Sequence, residues 1–127
     1  MPEDLRAQID RLRDRATDND EIADRDEDLL VAFSDRIDLH AQEYTDYRHK
    51  KLLGTAVRIA ERQDTPLAEA LTDRRAAESI VAWINRTFEN EETNRGYRSI
   101  LRVFGTRIAE RRDDVETTAD GVPAALA

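Results

Sequence analysis

Basic residues recur at steps of three and four in two segments, 43–62 and 91–112, and a helix gathers such residues onto one face. In the first, Tyr44, Arg48, Lys51, Thr55, Arg58 and Arg62 fall within about a quarter-turn of arc at 3.6 residues per turn, with Lys50 adjoining. Leu52, Leu53, Ala56, Ile59 and Ala60 occupy another side. In the second, Arg95, Arg98 and Arg102 line one side, while Tyr97, Ile100, Leu101, Phe104 and Ile108 line the other. Thr93 and Asn94 stand at its start. Guanidinium and ammonium groups on one helix face bind phosphate, and asparagine can read an adenine edge. The competing reading is a solvated face, with Arg48, Lys51, Arg58 and Arg62 paired to carboxylates such as Glu61 and Asp64, and Arg95, Arg98 and Arg102 paired to Glu91 and Glu92.

Other chemistry is poorly represented. Asp46 and His49 have the i, i+3 spacing of metal ligands, but a single such pair without a second points to chance. His49 falls toward the apolar side with Leu53 and Ala56, which favours a packed core histidine. No phosphate loop or nucleophile–base pair is visible, so no catalytic residue, metal, cofactor or small-molecule substrate is expected. Tyr44 and Tyr47 suit either a sugar or base contact or edge packing, Trp83 reads as core, and Asn90 reads as a cap at least as well as a base reader.

The 127 residues suffice for one modest core and carry eight net negative charges. Two cationic faces on an acidic chain therefore need a reason. Lys50 and Lys51 are the only lysines among twenty basic residues, and excess carboxylate with scarce lysine suits solubility at high salt. Net charge is −7 over residues 1–40, +3 over 41–112 and −4 over 113–127, so a basic centre lies between acidic ends. The absence of cysteine excludes disulfides and thiolate metal sites and fits an intracellular protein. No apolar run is long enough to span a membrane and the N-terminus lacks a signal-peptide core, so a cytoplasmic location is expected.

Helical periodicity predicts an all-α fold, a compact bundle of four main helices with an extra N-terminal helix. The first helix is expected near residues 4–16, with only Leu5, Ile9 and Leu12 as strong apolar positions. It is expected to pack peripherally, self-associate or fray. Further helices are expected near 26–39, from about 43, briefly after Pro66, from Thr72 or Asp73 to about 88, and after Asn90. This divides the chain into an acidic helix and polar break at 1–24, a helical core at 25–112 and an acidic tail or linker at 113–127.

The runs LLVAFSDRI (29–37), YTDYRHKKLLGTAVRIAE (44–61) and WINRTFENEETNRGYRSILRVFGTRIAE (83–110) resemble the core-binding, SAM-like N-terminal domain of tyrosine recombinases, with haloarchaeal members most similar. Thr45, His49 and Leu53 match one family segment, and Thr93, Leu101 and Phe104 match another. The resemblance implies a helical module that closes one side of a clamp on duplex DNA, through the helices beginning near Tyr44 and Thr93. It also implies DNA integration and recombination as the setting. Recombination in that family needs an arginine pair, a His-x-x-Arg motif and a late tyrosine nucleophile. Neither His40 nor His49 begins such a motif, and Tyr97 is the last tyrosine. The expectation is binding without cutting, at Tyr44, Thr45, Arg48, Lys50, Lys51, Arg58, Arg62, Thr93, Asn94, Arg95, Arg98 and Arg102. The alternative is a protein-interaction or oligomerisation module, including a stand-alone regulator that contacts a recombinase or itself through the first helix.

Overall fold

The computed structural model describes residues 4–40 and 42–127; residues 1–3 of the N-terminal segment and residue 41 lie outside them. The chain is an all-α bundle: α1 Leu5–Thr17, α2 Asp24–Leu39, α3 Asp46–Arg62, the single turn α4 Leu67–Ala70, α5 Arg74–Thr87 and α6 Glu91–Ala109. Each long helix except α2 begins at a side-chain cap. Asp4 accepts from the Ala7 N–H, Thr45 from Arg48, Asp73 from Arg75 and Asn90 from Thr93, at 2.8 to 3.1 Å. Each cap satisfies an N–H that has no partner inside its own helix. The turn α4 is capped from a distance. The buried Asp26 carboxylate of α2 accepts from the backbone N–H groups of Leu67 at 2.7 Å and Ala68 at 2.9 Å, tying the two elements together.

The core lies between α2, α3, α5 and α6. Phe33 and Phe104 meet edge to face at 5.2 Å, surrounded by fully buried Leu30, Ile37, Leu52, Leu53, Ile59, Ile80 and Ile84. Each such aliphatic side chain contributes about 1.5–3 kcal/mol when taken out of water. A second aromatic group closes the α5–α6 corner, with Phe88 stacked on Tyr97 at 4.1 Å and edge-on to Trp83 at 5.8 Å.

Two terminal segments are more firmly placed than the sequence suggests. The first helix is docked along α3, with Ile9 and Ala16 fully buried and Leu12 packed against the core. Ala16 is the apolar position that periodicity missed: a small residue where two helices cross needs no bulk. Ion pairs flank this contact, Arg6 to Asp38 at 3.0 Å and Arg13 to Asp35 at 2.8 Å. Residues 113–127, expected as a tail or linker, fold back on the bundle. A turn at Gly121 (φ +83°) leads into an antiparallel bridge between Thr117 and Pro123 and a 3₁₀ turn, Ala124–Leu126, against α5. Val115, Pro123 and Leu126 are buried.

Candidate nucleic-acid interface

A groove of about 800 Å³ opens between α1, α3 and the first half of α6. Helical spacing places its walls. Gln8, Arg11, Leu12 and Arg15 come from α1, and Tyr47, Lys50, Lys51, Gly54, Thr55 and Arg58 from α3. Glu92, Thr93, Gly96, Tyr97 and Ile100 come from α6. These are stripes of residues three and four apart, so each helix offers one face. Five cationic side chains border the groove against one carboxylate, Glu92.

Part of this surface carries cations without ion pairs, and Arg48, Arg62, Arg75, Arg86, Arg98, Arg102 and Arg111 elsewhere among the described residues are without them too. Other arginines are claimed by acid: Arg36 and Arg107 share Glu110, Arg107 also reaches Glu43, and Arg112 holds Asp114 at 2.6 Å. Burial works against the Glu110 carboxylate, but its two arginine partners prevail and hold its pKa below the usual range. Among the described residues no carboxylate oxygen lies within 4 Å of the cationic nitrogens of Lys50, Lys51 or Arg58. Lys50, Lys51 and Arg58 thus stand on one face of α3 as cations without a carboxylate partner, on a protein of net charge −8.

The residues singled out from the sequence divide accordingly. Lys50, Lys51, Arg58 and Thr93 line the groove. Arg48 does not, because the groove stripe of α3 is rotated by about 50° from the stripe that basic residues alone define, and Arg62 does not, because it lies at the end of α3, one turn beyond Arg58. Thr45 is the cap of α3. Tyr44 is tied to the far end of α6: its hydroxyl accepts from Arg107 Nε at 3.0 Å, and the guanidinium sits 5.5 Å from the ring centre. Asn94 bridges α5 and α6, donating to Asn85 at 2.9 Å and accepting from Arg98 Nε at 2.7 Å. Arg95 pairs with Glu91 along its own helix. Arg95, Arg98 and Arg102 lie roughly 160° around α6 from its groove residues, so the two predicted basic faces do not meet in one site.

Sequence reasoning did not find the α1 wall. Its signal lies in the spacing of Gln8, Arg11, Leu12 and Arg15, on a helix whose expected contact is with itself or a recombinase. Gly54 and Thr55 carry no hydropathy signal, although Thr55 falls on the stripe that the basic spacing defines.

His49 is buried on the opposite side of α3, as its position next to Leu53 predicts. Ser34 Oγ lies 2.8 Å from its Nε2 and Asp38 Oδ1 lies 3.5 Å from its Nδ1. The order serine, histidine, aspartate is that of a hydrolase triad, yet Ser34 is fully buried. Burial lowers the His49 pKa, with Asp38 opposing, so the ring is held neutral. With Asp38 favouring a proton on Nδ1, Nε2 accepts from the Ser34 hydroxyl. The pair joins α2 to α3. Asp46 is exposed and 3.6 Å from Arg6, and no group of three metal-ligating side chains occurs among the described residues. No helix is long and apolar enough to cross a membrane, among the described residues.

No protein-family model, curated protein or solved structure matches this chain.

Proposed function

We propose that this protein is a duplex-DNA-binding module of the kind that grips DNA for a tyrosine recombinase, and that its contact surface is the groove between α1, α3 and α6. The observation that carries this reading is the stripe of Lys50, Lys51 and Arg58, left without carboxylate partners on an acidic protein. Phosphate is the ligand such a stripe fits, because neutralising it releases condensed counterions from the nucleic acid. Thr93 and the α3 cap Thr45 hold the places that the resemblance assigns to the two DNA-facing helices. The α6 arginines belong to this reading only as a second, separate contact.

Replacing Lys50, Lys51 and Arg58 by Gln tests it. Binding to a short mixed-sequence duplex, followed between about 50 and 200 mM salt, should weaken, and the log–log salt slope should flatten by up to about three units. The control removes Arg25, Arg74 and Arg75, which carry the same charge and do not line the groove. Equal weakening by both triples would reduce the effect to net charge and remove the site.

A second reading has one observation behind it. Leu12, Tyr97 and Ile100 give the groove an apolar base, which suits an acidic amphipathic helix of a protein partner. Failure of the parent protein to bind duplex in dilute buffer would transfer the proposal to that partner.

A further inference from the structure

The resemblance to a recombinase module covers residues 26–112 and leaves α1 out, but α1 forms a complete wall of the groove. One residue of that wall is built differently from the others. Arg15 donates to Glu61 along one edge of its guanidinium, Nε to Oε2 at 2.8 Å and Nη2 to Oε1 at 2.5 Å. Glu61 is almost fully buried, with 8% of its side chain exposed, and it is held in turn by Asn19 Nδ2 at 2.5 Å. The Arg15 side chain is 49% exposed and borders the groove. A guanidinium has five N–H donors, and this pairing uses two. The remaining three stay available while the plane of the fork is locked by a carboxylate that cannot turn away.

We propose that Arg15 is a pre-oriented phosphate ligand on a third, α1-borne wall of the DNA interface, with Glu61 as its positioning residue. The proposal rests on the duplex-DNA reading of the groove. An arginine braced by a buried carboxylate loses little rotamer freedom when a phosphate arrives, so more of the contact appears as affinity. The bidentate pair need not break, because the Nη1 edge is unused. Arg11, one turn earlier on the same wall, faces the same groove. The α1 helix thereby becomes part of the recognition surface instead of an appendage to it.

The test compares two arginines of the same helix in the full chain. Arg15→Gln and Arg13→Gln each remove one charge and one interhelical ion pair, but Arg13 pairs with Asp35 and does not line the groove. With the short duplex as probe, Arg15→Gln should weaken binding on the order of tenfold at about 50 mM salt and flatten the salt slope by about one unit. Arg13→Gln should leave the slope unchanged. Arg15→Lys should keep the slope and still weaken binding, since a lysine keeps the charge but not the braced fork. Circular dichroism of each variant checks that α1 remains helical. Equal slopes for Arg13→Gln and Arg15→Gln would overturn the proposal, as would an Arg15→Lys variant that binds like the parent. If Arg15→Gln has no effect while the Lys50, Lys51 and Arg58 triple weakens binding, the groove reading stands and the α1 wall falls. If the parent does not bind, both fall.

Discussion

The same two helices, α3 and α6, each present an open side and a closed side, and the residues that look alike on the two sides have different work. On α3, Lys50 faces the groove without a carboxylate partner, while its neighbour His49 faces inward and is matched atom for atom by Ser34 and Asp38. On α6, two glycines nine positions apart meet opposite surroundings. A methyl group added at Gly96 would touch nothing within 4 Å. One added at Gly105 would lie 2.6 Å from Leu126 Cδ1 and 3.0 Å from Pro123 Cγ. The closed side uses its glycine to let the C-terminal segment approach the helix; the open side has no such internal need. Polar residues on the closed side serve packing, and their partners can be named. On the open side Lys50, Lys51 and Arg58 have no carboxylate within 4 Å among the described residues.

The largest effect that sharpens this contrast is at Gly105. Alanine gains about 1 kcal/mol of helix propensity over glycine, but overpacking typically costs about 1–3 kcal/mol. The rigid Pro123 ring cannot yield as Leu126 can. Gly105→Ala should therefore lower stability by about 1–2 kcal/mol net, measured as the urea midpoint of unfolding. Adding Leu126→Ala to the Gly105→Ala background should cost less than Leu126→Ala alone, because the nearest clashing atom has gone. Additive losses would mean that the C-terminal segment does not seal this face in solution.

The buried histidine gives a smaller, pH-dependent effect. Burial holds its pKa below the ordinary 6.5, with Asp38 and Asp46 opposing and Arg6 and Arg13 assisting. The unfolded chain then binds more protons than the folded one between the two values. Stability from this residue is complete above about pH 6.5 and declines as pH falls through that window, by up to about 1.4 kcal/mol per unit. Asp26 acts with the opposite sign: burial raises its pKa despite two backbone N–H bonds, so its contribution falls as pH rises above the ordinary 3.8. His49→Gln keeps an acceptor for Ser34 and should flatten the stability profile as pH falls below about 6.5. An unchanged slope would mean that His49 is not held neutral by its surroundings.

What the sequence displays follows from which forces leave a periodic trace. Apolar spacing located the long helices and the core positions Leu52, Leu53, Ile59, Ile100, Leu101, Phe104 and Ile108, because large side chains in a bundle must recur every three or four residues. Cap chemistry marked Asp73 and Asn90 correctly. Docking of α1 was not legible, since Ala16 and the flanking ion pairs depend on which acids α2 and α3 bring close. The return of residues 113–127 was equally hidden: Val115, Pro123 and Leu126 are too widely spaced to define an amphipathic pattern. The candidate site was half legible. Lys51 and Arg58 stand out as basic positions on α3, but the groove also depends on the open space at Gly96 and on a helix from another part of the chain. Basic spacing on α6 picked out Arg95, Arg98 and Arg102, which face away from it.

The smallest effect has the opposite sign and bears most directly on the open side. Glycine inside an exposed helix costs about 0.8–1 kcal/mol relative to alanine, and nothing in the chain repays that cost at Gly96. Gly96→Ala should therefore raise stability by about 1 kcal/mol, where Gly105→Ala lowers it. If a sugar-phosphate strand runs along the groove, the added methyl stands between it and the α6 wall, so binding of duplex DNA should weaken in the same variant. A helix that is more stable yet binds less well cannot be explained by damage to the fold. A variant that gains stability and binds as the parent does would restrict contact to α1 and α3. A loss of stability at Gly96 would show that this side is covered within the chain after all, and the contrast between the two glycines would disappear.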